Sequence, residues 1–208
     1  MKNILLMLIL LFGPVRNTMA AIGCDLNDPD RDVKRLFPES TGYKTTYMSI
    51  NKLGGEALLK EVERRLGDEF HGLYETIDVP YTIYTIFRER EIIGYIHGIN
   101  QKGLYGGLQV FLGYDVGGTI TNFYYQKLTS RKAAEMRSTN FTKQFVGLSS
   151  TDFEDYNPKT NSGGSEKVSA IKNPNAGDTT DFNATLRAVK KNLILTHIFV
   201  FGKEGREK

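Results

Sequence analysis

The sequence predicts an α+β fold in which an antiparallel β-sheet packs against helices. Three observations carry this expectation. Between Tyr81 and Leu128 four runs rich in β-branched and aromatic residues follow one another, joined by charged or glycine-containing turns. On either side of that stretch the apolar period becomes helical, at 54–67 and again from Asn183 onward. Glycine is frequent, 21 of 208 residues, and gathers at turns, which favours strands over a helical bundle. With 40% hydrophobic residues the chain suits one domain with a sizeable core.

Residues 1–23 read as a signal peptide or an N-terminal anchor. Lys2 gives a positive start, and Ile4 to Phe12 form an apolar run of nine residues, too short to span a bilayer. Gly13 and Pro14 break it, and Thr18-Met19-Ala20 offers small residues for cleavage. Ala21-Ile22-Gly23-Cys24 faintly resembles a lipoprotein cleavage box, and an incidental thiol is the other reading. The single cysteine excludes an internal disulfide and a cysteine-based zinc site. Of the 27 basic residues, Lys2 and Arg16 precede Cys24. The remaining 25 face 24 acidic residues, a balance of +1 that gives no basis for nucleic-acid binding.

Residues 24–80 form an N-terminal extension of the domain. In 24–38 the acids lack the regular spacing and central glycine of a calcium loop. Asn27-Asp28-Pro29 reads as a turn, with Asp30 or Asp32 capping a short helix that carries Val33, Leu36 and Phe37. A strand follows at 42–50. A helix at 54–67 shows an apolar stripe of Leu59, Val62 and Leu66, ion-pair spacing at Glu56/Lys60 and Glu61/Arg65, and a stop at Gly67.

The main unit spans 81–202. Its strands are expected at 81–87, 91–99, 108–115 and 119–128, a four-strand antiparallel meander with helices on one face. Short helices are expected at 131–137 and 141–147. The segment 155–177, rich in Gly, Ser, Asn and Pro, is expected as a flexible loop rather than a second domain. The last element begins near Asn183, with Leu186, Val189, Leu193 and His197 on one helical face. Its end, 193–201, fits a helix or a strand equally.

Three places are candidates for chemistry. At 103–107 Gly103, Gly106 and Gly107 permit a tight turn and close backbone approach to a planar ligand, with Tyr105 at its mouth. A hairpin with a bulge is the plainer reading. At 124–136 a strand end meets a helix start capped by Thr129 or Ser130. At 178–193 Asn183, Ala184 and Thr185 stand where a helix begins, the place where free N–H groups hold a phosphate. An ordinary Asn183 cap is the alternative. No nucleotide-hydrolase glycine loop and no Gly-x-Ser-x-Gly elbow is present. His97 and His197 read as structural histidines, and their spacing points to no metal site.

Taken in order, these elements resemble the FMN-binding domain family from about Thr82 to Gly202. Residues 103–107 (GLYGG) resemble its glycine-rich turn, and 114–120 (YDVGGTI) its acid-glycine hairpin. Residues 125–130 (YQKLTS) stand where a His-x-Glu-Thr-Pro-like stretch falls, with Gln126 at the His position. Residues 141–147 (FTKQFVG) match an aromatic-x-x-Gln-Phe-x-Gly stretch, and 182–189 (FNATLRAV) a Ser/Thr-Gly-Ala-Thr-like element. The resemblance implies an FMN-binding-domain-like fold and an FMN cofactor, placed by a dedicated flavin transferase as a phosphodiester on the closing Thr, here Thr185. The implied cofactor-binding set is Thr185, Ala184, Asn183, Tyr105, Gly106, Gly107, Gln126 and Thr129. It also implies an exported, periplasmic or membrane-associated electron carrier serving redox partner proteins, with the flavin doing the chemistry and no catalytic residues required. Phe182 replaces the motif's Ser or Thr and Asn183 its Gly, so a flavin-free binding or structural module on the same fold is the alternative. A free-standing reductase needs a nicotinamide site, for which the sequence offers no sign.

Overall fold

The computed structural model describes residues 23–202. The expected leader therefore lies outside the described residues, Gly23 apart. The fold is α+β: five antiparallel strands in sequential order with helices packed on them. β1 is Gly42–Met48, β2 Tyr81–Arg88, β3 Glu91–Lys102, β4 Gly107–Tyr114 and β5 Ile120–Leu128. The meander read from the sequence is β2 to β5, and β1 adds an edge strand by pairing along β2, Thr45 opposite Tyr84. Short connections make this order. At the β4–β5 turn the Asp115 carboxylate accepts the N–H groups of Gly117 and Thr119, both at 2.9 Å. Gly118 there takes a φ of 85°, a region that favours glycine.

The helices lie on both faces of the sheet, which corrects the expectation of one face. α1, Pro29–Leu36, covers one face. Its cap is Asp28, which accepts the Arg31 N–H at 3.2 Å with Pro29 at the first helical position, not Asp30 or Asp32. Val33, Leu36 and Phe37 bury against Tyr84, Ile86, Ile96 and Phe111. Strand glycines make room for this layer. A Cβ on Gly98 would sit 2.2 Å from the Phe111 ring, and one on Gly94 2.7 Å from the Phe37 ring. Cys24 is buried in the same cluster, and burial, with Asp25 next to it, pushes its thiol pKa up.

The other face carries the main core. α2, Ile50–Leu66, is capped by Ser49 and starts before the predicted 54–67 segment; non-helical Gly55 (φ 60°) separates its first turn from the long second part. α3 is Ala133–Arg137 and α4 Thr139–Thr142, followed by a 3₁₀ turn at Lys143–Phe145. α5, Glu166–Ser169, lies inside the glycine-rich excursion. That excursion was expected as a flexible loop, yet Tyr156, Val168 and Ile171 are buried in the main core. α6, Thr180–Thr196, runs over β3 and β4 and against α2, then continues as a π-helical turn, His197–Phe201. The helix–strand ambiguity at 193–201 is thus settled as helix. Leu186, Val189, Leu193 and Ile194 face a core that a strand could fill only with alternate residues.

α6 begins three residues before the expected start. The Asp178 carboxylate accepts the Thr180 N–H at 2.9 Å, and Asn183 N–H already bonds Thr179 O at 2.8 Å inside the helix. Asn183 is therefore a first-turn residue and not the cap.

Candidate functional site

The β3–β4 turn is closed by Gly103 N–H to Gly106 O at 2.7 Å. It meets three other elements. The Asp181 carboxylate at the start of α6 accepts Leu104 N–H at 2.8 Å. Thr129, after β5, comes within 3.2 Å of where a Gly106 Cβ would stand, and Tyr74 Oη within 3.1 Å of a Gly107 Cβ. Gly106 has a φ of 150°, so both space and backbone demand glycine there. Tyr105 is 42% exposed at the tip, with the Arg131 guanidinium 4.9 Å above its ring. Tyr105, Gly106, Gly107 and Thr129 are thus gathered as the sequence led us to expect, and the turn is fastened to the helix start.

Beside this junction opens a cleft of about 340 Å³, lined by Asp68, His71, Tyr74, Glu75, Gln101, Lys102, Gly103, Thr180 and Arg187. Its wall is a charge network. Arg187 donates to Asp68 (2.8 Å), to both Glu75 oxygens (2.6 and 3.1 Å), to Gln101 (2.8 Å) and to Glu69 O (3.0 Å). All five guanidinium donors are used, so Arg187 is a clamp and has no donor left for a ligand. Lys191, 1% exposed, donates to Glu75 and to Asn100 O. Burial works against the Glu75 charge, but Lys191 and Arg187 outweigh it and hold the carboxyl at about 2. Burial pulls the Lys191 pKa down, with Glu75 opposing. Lys102, His71 and Thr180 remain as donors facing the cleft, and Tyr74 gives it an aromatic surface.

Thr185 stands in the second turn of α6, not the first, and is fully buried. Its hydroxyl donates to Asp181 O at 2.8 Å and shares a 2.7 Å hydrogen bond with Tyr125 Oη. Asn183 and Ala184 are half-buried beside it, Ala184 against the main core. Gln126 does not belong to this site. Strand alternation that turns Tyr125 toward α6 sends Gln126 to the opposite face, where it bonds Asp25 O (2.8 Å) and accepts Asn27 N–H (2.7 Å).

Sequence reasoning missed Arg187, Glu75 and Tyr74. Arg187 and Lys191 stand four apart on one face of a helix that also buries Thr185, Lys190, Asn192 and Thr196, so their pairing was not legible from an apolar stripe. Nothing local marks Glu75. His97 is fully buried, its Nδ1 2.9 Å from Thr196 Oγ1 and its ring against Tyr81 and Phe199.

No family model matches this sequence, and no match to it is found among curated proteins.

Proposed function

We propose that this protein binds FMN in the cleft between the 103–107 turn and the start of α6, and works as an exported electron carrier beside a membrane redox complex. The observation that carries the reading is the Leu104–Asp181 hydrogen bond. It fixes a glycine turn against a helix N-terminus at the mouth of a cleft, the arrangement that phosphate-bearing planar ligands use. Fit can be judged on the donor set. Lys102 gives a cation and Thr180 a hydroxyl for a phosphate, with the His71 ring beside them, while Arg187 neutralises Asp68 and Glu75. Tyr74 offers a stacking surface, and Gly103 lines the cleft with no side chain of its own. The volume lies at the small end of ordinary ligand sites, which run from roughly 300 Å³. Bound there, FMN would supply one- or two-electron transfer.

Attachment through Thr185 fits the closed fold less well, because its hydroxyl is buried and engaged on two sides. A flavin transferase reaches that oxygen only while the first turns of α6 are lifted from Tyr125. The folded chain therefore holds the flavin without the ester unless modification precedes docking of the helix. The same burial favours a second reading, a flavin-free module on this scaffold.

The test is the visible spectrum of the mature protein, made with and without a flavin transferase. Flavin bands removed by acid precipitation mean non-covalent FMN. Bands that survive acid mean an ester. A colourless protein that takes up no added FMN leaves the flavin-free module.

A further inference from the structure

We propose that a second cavity, at the C-terminal half of α6, binds a small ligand carrying a carboxylate or phosphate group through Arg65. The cavity measures about 540 Å³ and is bounded by Glu61, Arg64 and Arg65 of α2, by the 150–155 segment, and by Lys190, Leu193 and Ile194 of α6. A neighbouring hollow of about 520 Å³, beside Gly117, Gly118, His197 and Phe201, shares Ser150, Thr151 and Leu193 with it. The two adjoin, away from the cleft at the other end of the helix.

Its cations are not equivalent. Arg64 is exposed and spends its guanidinium on a two-pronged pair with Glu61, at 2.7 and 2.8 Å. Lys190 reaches inward to Glu154 O and Tyr156 O, at 3.1 and 2.5 Å. Arg65 is half-buried, yet among the described residues it donates no hydrogen bond and closes no ion pair; it feels Glu61 and Glu154 only at longer range. Partial burial of a guanidinium without acceptors costs free energy, which a ligand oxyanion returns by taking two parallel N–H bonds. Burial accordingly pulls the Arg65 pKa down, the direction an oxyanion would reverse. Glu154 and Asp155 are exposed at the rim, so they limit the net charge a ligand can carry and favour one anionic head over several. The apolar floor of Phe153, Leu193 and Ile194, continuing to Phe201, gives room for an uncharged remainder.

The experiment is a calorimetric titration of the full chain at fixed ionic strength with two probes, inorganic phosphate and benzoate, against Arg65→Gln and Arg64→Gln. We expect saturable binding of at least one probe, weakened about tenfold or more in Arg65→Gln and unchanged in Arg64→Gln. Stronger binding of phosphate or of benzoate tells which head group the site prefers. A second readout needs no variant: the Arg65 Nε–H resonance of the wild-type protein should shift on titration while that of Arg64 stays put. Binding that survives Arg65→Gln, equal losses in both variants, or an unmoved Arg65 resonance would overturn the proposal. Flavin content does not enter any of these readouts.

Discussion

Thr185 Oγ1 and Tyr125 Oη lie 2.7 Å apart with both side chains buried, and this pair joins α6 to β5 at the point where the sequence resemblance puts the flavin ester. Removing one hydroxyl strands the other in a dry environment. Thr185→Val is therefore expected to destabilise by about 1–3 kcal/mol, measured by urea denaturation. Adding Tyr125→Phe should cost little more, because the unpaired group is then gone. If the two losses simply add, the hydroxyls do not depend on each other as described.

The β3–β4 turn makes a sharp contrast among glycines. A Gly103→Ala methyl would enter within 2.6 Å of Asp181 Oδ1 and Leu108 Cδ1, and Gly106→Ala would force a side chain onto a φ of 150°. Each should lower stability by about 1–3 kcal/mol. Gly177→Ala, whose methyl meets nothing nearer than 3.8 Å, should fall within about 0.5 kcal/mol of wild type. Thermal melts of the three variants check the ordering.

Glu75 is the hub of the buried network, taking Lys191 and Arg187 together. Glu75→Gln leaves the Lys191 ammonium buried without its counter-charge, with only neutral oxygens, the new amide and Asn100 O, to accept from it. A loss of about 3–5 kcal/mol is expected. The double change Glu75→Gln with Lys191→Met should be more stable than Glu75→Gln alone, since the uncompensated charge is removed. Equilibrium unfolding of the three variants reads this directly, and a double variant no better than the single one argues against a buried pair.

Acid should weaken the fold in two stages of the same sign. Burial lowers the His97 pKa from 6.5 to about 3. Between those values the unfolded chain takes a proton that the native chain refuses, so stability falls as pH drops through that window. Glu75, held at about 2 against an ordinary 4.5, adds its own loss as pH falls below 4.5. From pH 6.5 downward the slope due to His97 should approach about 1.4 kcal/mol per pH unit. Urea midpoints measured across that range should show it, and His97→Leu should flatten it whatever its own stability.

Much of this was legible in the chain. Strand runs from Tyr81 to Leu128 reveal themselves because alternation and turn chemistry are local. The Gly103–Gly107 turn followed from the same local rules, whereas Thr129 was set beside it only through the family resemblance and is brought there by the pairing of β4 with β5. Gln126 went astray because it sits one residue from Tyr125, and a strand sends neighbours to opposite faces; choosing the face requires knowing what covers each one. Asn183 went astray because the helix starts upstream, with Thr179 at the cap position and the Asp178 carboxylate accepting the Thr180 N–H, and short polar residues look alike as caps until the backbone direction is known.

By itself the sequence determined the class of fold, the β2–β5 meander, the glycine turn and the helical start of the last element, all of which rest on interactions between residues near in sequence; the helical end at 193–201 and the edge place of β1 came from the structure. Only the tertiary structure decided which polar groups are spent and which are free. Arg187 finds Asp68 and Glu75 more than a hundred residues away, Thr185 disappears against Tyr125 at a separation of 60, and among the described residues the Arg65 side chain closes no hydrogen bond or ion pair. Hydrogen-bond satisfaction is a property of neighbours in space, and a chain read in one dimension does not contain it.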